Sequence, residues 1–217
     1  MANLILFPGG AFGAPPPPKA GYSDSTQPIR NLVRAAFSNY MVVDIPHGEQ
    51  HDGSYENAVG TCATQVKEFL LCHPGPCVFV GISSGGFFAL ATAQYFKSRP
   101  LTVGVDIDQC ILIAPVISPA DRHTAPNVPA YKLAKQLRFF KSIPDMVRAT
   151  NTITGRPHVR RVVIIVGEDD SSASYPAEWA DYRCAVFKIP GDHSICHNPT
   201  KAVADLLWDL CVAYVEN

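Results

Sequence analysis

A serine hydroxyl is a weak nucleophile near neutral pH unless a base takes its proton, and one serine of this sequence stands where that chemistry could be arranged. Gly81-Ile82-Ser83-Ser84-Gly85 is a Gly-x-Ser-x-Gly run. It follows the apolar run Cys77–Val80 and precedes a helix-period segment carrying Phe87, Leu90, Ala91 and Phe96. A strand-to-helix turn sharp enough to expose a hydroxyl needs glycine two residues away on either side, because a Cβ there would strike the adjoining strand or helix. Chance alone would supply about 0.06 such matches in a chain with this Gly and Ser content, so motif and setting together mark Ser83 as the candidate nucleophile. Ser84 is the rival, but its frame would need glycine where Ile82 stands.

The proton must go to a histidine held by a carboxylate, and behind turns of this kind the acid and then the base follow along the chain. His193 lies in Pro190-Gly191-Asp192-His193, after the apolar run Cys184–Ile189 and ahead of the last helical segment. His197 shares that address four residues later and is the alternative base; the other five histidines read as solvated loop residues. The acid is expected behind the run Val162–Val166, in Gly167-Glu168-Asp169-Asp170. Three adjacent carboxylates would be costly to bury together, so one should turn inward while the others face water. Asp170 is the favoured candidate and Asp169 the alternative. The developing oxyanion needs preorganised donors, for which the N–H groups of Ser84 and of Gly10, in Phe7-Pro8-Gly9-Gly10-Ala11, are the candidates. With neither a Walker lysine nor a GxGxxG spacing, that glycine pair does not read as a phosphate cradle. No metal or cofactor is called for.

The elements that must position these groups can be read from periodicity. Apolar runs at Leu4–Phe7, Met41–Ile45, Cys77–Val80, Gln109–Ile113, Val162–Val166 and Cys184–Ile189 read as strands buried on both faces. Helical stripes fall between several of them: Ala58, Cys62, Val66 and Phe69 in a helix starting at Ser54, and Val203, Leu206, Leu207, Leu210, Cys211 and Tyr214 in the last one. Asn198 and Pro199 offer that last helix an N-cap and a first-turn proline. Strands alternating with helices predict an α/β fold with a mostly parallel central sheet covered on both faces. Two stretches interrupt the alternation. The four-proline run Pro15–Pro18 is a stiff loop, and the segment of about 119–159 is long enough to be a short helical lid insertion. Between Pro119 and Arg161, nine basic residues, Lys135 and Arg138 among them, stand against two acidic ones, a local balance of +7. Such a run would be a solvated face or a positive rim at the mouth of the site.

At 217 residues, 47% hydrophobic and 17% charged, the chain is expected to form a single domain spanning 1–217. The net charge of −1 gives no reason to invoke nucleic acid. The first residues carry no positive leader and no long apolar run, which predicts a protein with no membrane partner, working in the cytoplasm. Seven cysteines without metal-like spacing read as buried free thiols.

These residues carry a likeness to the α/β-hydrolase superfamily, spread over most of the chain outside the lid. Within it the sequence resembles the stand-alone type II thioesterases that accompany polyketide and nonribosomal peptide synthases. The resembling stretches are Leu6-Phe7-Pro8 with Gly9 and Gly10, the loop Asp44-Ile45-Pro46-His47-Gly48-Glu49, Gly81–Gly86, and Trp179 with Phe187 leading to Pro190–His193. It departs from them at Ile82 and Ser84, where His and Met usually flank the nucleophile, and at Gly9, where a His is usual. The resemblance implies a serine hydrolase that cleaves a small-molecule acyl ester or thioester through a Ser83 acyl-enzyme. It also implies a phosphopantetheine arm on an acidic acyl carrier protein as a partner for the basic rim. An acyltransferase or cyclase would use the same triad, and a non-catalytic binding module would use the fold alone.

Overall fold

The computed structural model describes residues 2–9, 26–46, 55–98, 105–116, 159–171, 173 and 184–215. Six strands and four helices are described along the chain, alternating as far as β4: β1 (Asn3–Phe7), α1 (Gln27–Ala36), β2 (Met41–Asp44), α2 (Tyr55–Cys72), β3 (Cys77–Ile82), α3 (Ser84–Ser98), β4 (Ile107–Ile113), β5 (Val159–Gly167), β6 (Cys184–Ile189) and α4 (Lys201–Val215). A short 3-10 turn, His193–Cys196, precedes α4. The strands form one sheet in the order β2-β1-β3-β4-β5-β6, every neighbouring pair parallel.

Side chains alternate across a strand, and here the alternation sorts the core into two layers. Ile5, Phe7, Phe79, Cys110, Leu112 and Ile164 face α2 and α3, packing on Ala58, Cys62 and Val66 of the one and Phe88 and Leu90 of the other. Leu4, Leu6, Val78, Val80, Ile111, Ile113, Val163 and Ile165 face the opposite way, toward Ile29 and Val33 of α1 and Val203 and Leu207 of α4. Double coverage explains why the central strands carry hydrophobic residues continuously. The outer two are different: β2 and β6 are edges with partly exposed residues, so the expectation of burial on both faces holds for β1, β3, β4 and most of β5 only.

Several boundaries also differ from the sequence reading. Strand β5 begins at Val159, because Arg160 and Arg161 lie inside it and pair with β4 side chains: Arg160 Nε is 3.0 Å from Asp108 Oδ1, and Arg161 donates to the Gln109 amide oxygen. The last helix starts at Lys201 rather than at Pro199. Asn198 lies two residues past the 3-10 turn instead of capping the helix, its N–H donating back to Ser194 O at 2.7 Å. Helix α1 went unread, although Thr26-Gln27-Pro28 is an N-terminal signal and Ile29, Val33, Ala36 and Phe37 form a buried stripe. All seven cysteines are free; Cys62, Cys77, Cys110, Cys184 and Cys196 are buried, Cys211 is half-buried and Cys72 is exposed. Among the described residues no helix is long and apolar enough to cross a membrane.

Candidate active site

The chain runs from β1 outward to β2 and then back past β1 to β3, so the strand order reverses between β1 and β3. In open parallel sheets a crevice opens at the carboxyl ends of the strands at such a reversal. Ser83 stands there, the single residue between the end of β3 and the start of α3. Its φ of 50° lies in the left-handed region, a conformation that costs about 1–3 kcal/mol for a non-glycine residue and persists only where the surroundings hold it. The tail of β4 supplies that hold. Ser83 N–H donates to Ile113 O at 2.9 Å, and Ser83 O accepts from the N–H groups of Gly86 at 3.0 Å and Val116 at 3.1 Å. The flanking glycines meet the spatial requirement read from the motif: a Cβ on Gly81 would stand 2.5 Å from Gly86 Cα, and one on Gly85 would stand 2.6 Å from Pro8 O.

Three side chains from three separate loops converge at this point. Ser83 Oγ lies 3.1 Å from His193 Nε2, and His193 Nδ1 lies 3.0 and 3.1 Å from the two carboxylate oxygens of Asp170. The Asp170 side chain is fully buried and that of His193 is 26% exposed. An ionised carboxylate only accepts, so Nδ1 must carry a proton toward Asp170, and Nε2 then turns its lone pair to the serine hydroxyl. A further donor fixes the carboxylate, the Ala173 N–H at 2.8 Å from Asp170 Oδ1. Asp169 and Glu168 face water, as three adjacent carboxylates should.

The loops bearing Asp170 and His193 are joined backbone to backbone. Glu168 N–H donates to Ile189 O at 2.8 Å and Asp169 N–H to Gly191 O at 3.0 Å. The approach is so close that a Cβ on Gly167 would overlap Gly191 O. Gly191 itself has φ +130°, a value open to glycine, and so turns the chain from β6 into the His193 loop. Asp192 then caps the 3-10 turn by accepting from Ser194 N–H at 2.8 Å; hydrogen bonding to the Ser194 side chain first, and this backbone bond second, lowers the Asp192 pKa.

Of the remaining residues singled out in the sequence, Ser84 is the first residue of α3, directly after Ser83. Gly10, Lys135, Arg138 and residues 119–158 of the lid insertion lie outside the described residues, and Val159, at its expected end, belongs to β5; Gly9 is described and adjoins Ser83. The His197 ring is half-buried, with its centroid 6.5 Å from that of His193 in an edge-on arrangement. Arg160 and Arg161 belong to the β5 ladder at the opposite end of the sheet, which removes two of the nine cations from any rim around the site. Sequence reasoning missed Thr26, whose buried methyl group shares with Ser83 the space beside Gly9, and Cys196, packed beneath the turn that carries His193.

Residues 4–206 match the α/β-hydrolase family, and the chain belongs to it. No curated protein matches the sequence. Solved structures resemble it in fold. Carboxyl esterase 2 of the mycorrhizal fungus Tuber melanosporum superposes with a TM-score of 0.64 at 16% identity, covering 97% of this chain and 75% of that one. A lipase-esterase related protein of Clostridium acetobutylicum gives 0.64 at 12% identity, with 95% and 93% covered. A thioesterase of the prodiginine biosynthetic pathway of Streptomyces coelicolor gives 0.58 at 15% identity, with 97% and 85% covered.

Proposed function

We propose that the protein is a serine hydrolase that cleaves an acyl ester or thioester through an acyl-enzyme on Ser83. The observation that carries this reading is the unbroken chain of contacts from Ser83 Oγ through His193 to the buried Asp170 carboxylate. In the first half-reaction Ser83 Oγ attacks the acyl carbonyl carbon while its proton passes to His193 Nε2. The Asp170 carboxylate holds the imidazole orientation and stabilises the imidazolium as it forms. The tetrahedral oxyanion is stabilised by the N–H of Ser84 and, in this reading, by that of Gly10, donors that cost no reorganisation during the reaction. Collapse of the adduct expels an alkoxide or thiolate, which takes the proton back from His193. In the second half-reaction a water molecule attacks the acyl carbon with His193 again as base, and the carboxylic acid leaves as the Ser83 hydroxyl re-forms.

The names of the structural neighbours span carboxyl esterase and thioesterase, so substrate class is decided by assay. Nitrophenyl esters and acyl-thioesters of graded chain length should be turned over by the wild-type protein. Ser83→Ala should lower kcat/KM by about 10⁴-fold or more without changing the thermal midpoint appreciably, because the members of a triad act as a unit. Turnover of the preferred substrate by Ser83→Ala at a rate near wild type would remove Ser83 from the mechanism.

A further inference from the structure

The Ser83 peptide and the His193 turn meet at one atom, the carbonyl oxygen of Ile113. That oxygen closes β4 and accepts the Ser83 N–H at 2.9 Å. It also accepts from Cys196 Sγ, which lies 3.8 Å away in a fully buried position. Cys196 is the last residue of the 3-10 turn that begins at His193, so one buried thiol stands between the base-bearing turn and the strained nucleophile. Burial pushes its pKa up to about 12, which keeps the thiol protonated, a hydrogen-bond donor, at any working pH.

We propose that Cys196 is a positioning residue, whose S–H ties the His193 turn to the Ile113–Ser83 peptide junction and so fixes the spacing between His193 Nε2 and Ser83 Oγ. The physical need is plain. Among the described residues, the hydrogen bonds and close backbone contact that hold the His193 loop come from Asp170 and Gly167, on the β5–β6 side, while its 3-10 turn also packs on the apolar face of α1. Ser83 directly follows β3, two strands away from β5. The Cys196 bond spans that gap at β4. An S–H donor is weak, yet a misplacement of about 1 Å between reacting groups can cost about 10²-fold in rate, so a modest restraint at this point has leverage. The other buried thiols of the sheet, such as Cys110 among the residues facing α2 and α3, have no comparable position.

This inference rests on the reading of Ser83 and His193 as nucleophile and base, and its test separates the two. The rate of covalent labelling by a fluorophosphonate is measured for Cys196→Ala and Cys196→Ser, and for the isosteric pair Cys196→Val and Cys196→Thr, with Cys110→Ala and Ser83→Ala as controls. Variants without a donor, Ala and Val, should label about tenfold more slowly and show kcat reduced by a similar factor with KM within about twofold. Ser and Thr, which restore an O–H donor, should stay within about threefold of wild type. Cys110→Ala should lower the thermal midpoint and leave the labelling rate unchanged. Equal rates within each pair, whether both slow or both normal, would reduce Cys196 to core packing. If Cys196→Ala does not fold, the Val and Thr pair decides the matter by the same criterion. Labelling that persists in Ser83→Ala would instead overturn the triad itself.

Discussion

Two buried aspartates stand at opposite ends of the sheet, and they differ in what they can do. Asp170 follows β5 at the carboxyl end of the strands, with a fully buried side chain, and its partner is an imidazole. Asp108 is the second residue of β4, at the amino end, with a side chain 4% exposed, and its partner is the Arg160 guanidinium, itself 42% exposed. By burial and charge alone the two are nearly equivalent. A guanidinium cannot release its proton at any relevant pH, so the Asp108–Arg160 pair is a fixed structural contact between β4 and β5. An imidazole can gain and lose a proton near neutrality, so Asp170 steadies a group able to take part in chemistry. A buried carboxylate becomes a candidate for function through the chemistry of its partner and of the next group along, here a serine hydroxyl at 3.1 Å.

Substitutions at the two ends should separate these roles. The largest contrast is expected at Asp170. Asp170→Asn, which permits the wrong imidazole tautomer and loses the stabilising charge, should lower kcat by about 10³–10⁴-fold, whereas Asp169→Asn should stay within about twofold. Comparable small losses in both variants would move the acid elsewhere. A smaller but still functional effect is expected at the seam between the acid and base loops. An alanine at Gly167 would place its Cβ 2.7 Å from Gly191 C and 2.9 Å from Asp192 O, so the loops must part. Gly167→Ala should therefore lower kcat/KM by about 10–100-fold. Gly60→Ala, in α2 with nothing within 4 Å of the new methyl, should raise the thermal midpoint by a few degrees and leave activity alone. The smallest kinetic effect belongs to the amino end. Asp108→Asn should cost about 1–3 kcal/mol of stability, read by denaturant titration, with kcat/KM within about twofold of wild type. A catalytic defect there without a stability loss would blur the distinction between the two ends.

How much of this was legible beforehand follows from how local each feature is. The five residues around Ser83 announce themselves because a strand, a turn and a helix must all be satisfied within them, and the Pro190–His193 stretch is recognisable by its place before the last helix. The four inner strands were readable because burial on both faces leaves little choice of residue type in the middle of a parallel sheet, and β2 and β6 because their runs are just as apolar. Edge status was not readable: β6 has a composition like its neighbours, and its partial exposure comes from where the topology puts it. The charged start of β5 was hidden because Arg160 and Arg161 look like flanking residues until Asp108 and Gln109 of the next strand are beside them. Helix α1 was readable and overlooked, its Thr-Gln-Pro start overshadowed by the proline-rich stretch before it. The choice between Asp169 and Asp170, and the junction at Ile113 O, depend on which atoms the fold brings together from distant parts of the chain, 23 residues apart for Asp170 and His193 and 83 for Ile113 and Cys196. No local pattern encodes such a contact.

The central claim is that Ser83 is the nucleophile, and the most direct test is the site of covalent attachment. Intact-protein mass spectrometry after brief exposure to a fluorophosphonate should show a single adduct, and peptide mapping should place it on Ser83. The adduct should be absent from Ser83→Ala and strongly slowed in His193→Ala, while His197→Ala should label at close to the wild-type rate. A wild-type protein that stays unlabelled, or that carries the adduct on Ser84 or another residue, would contradict the account.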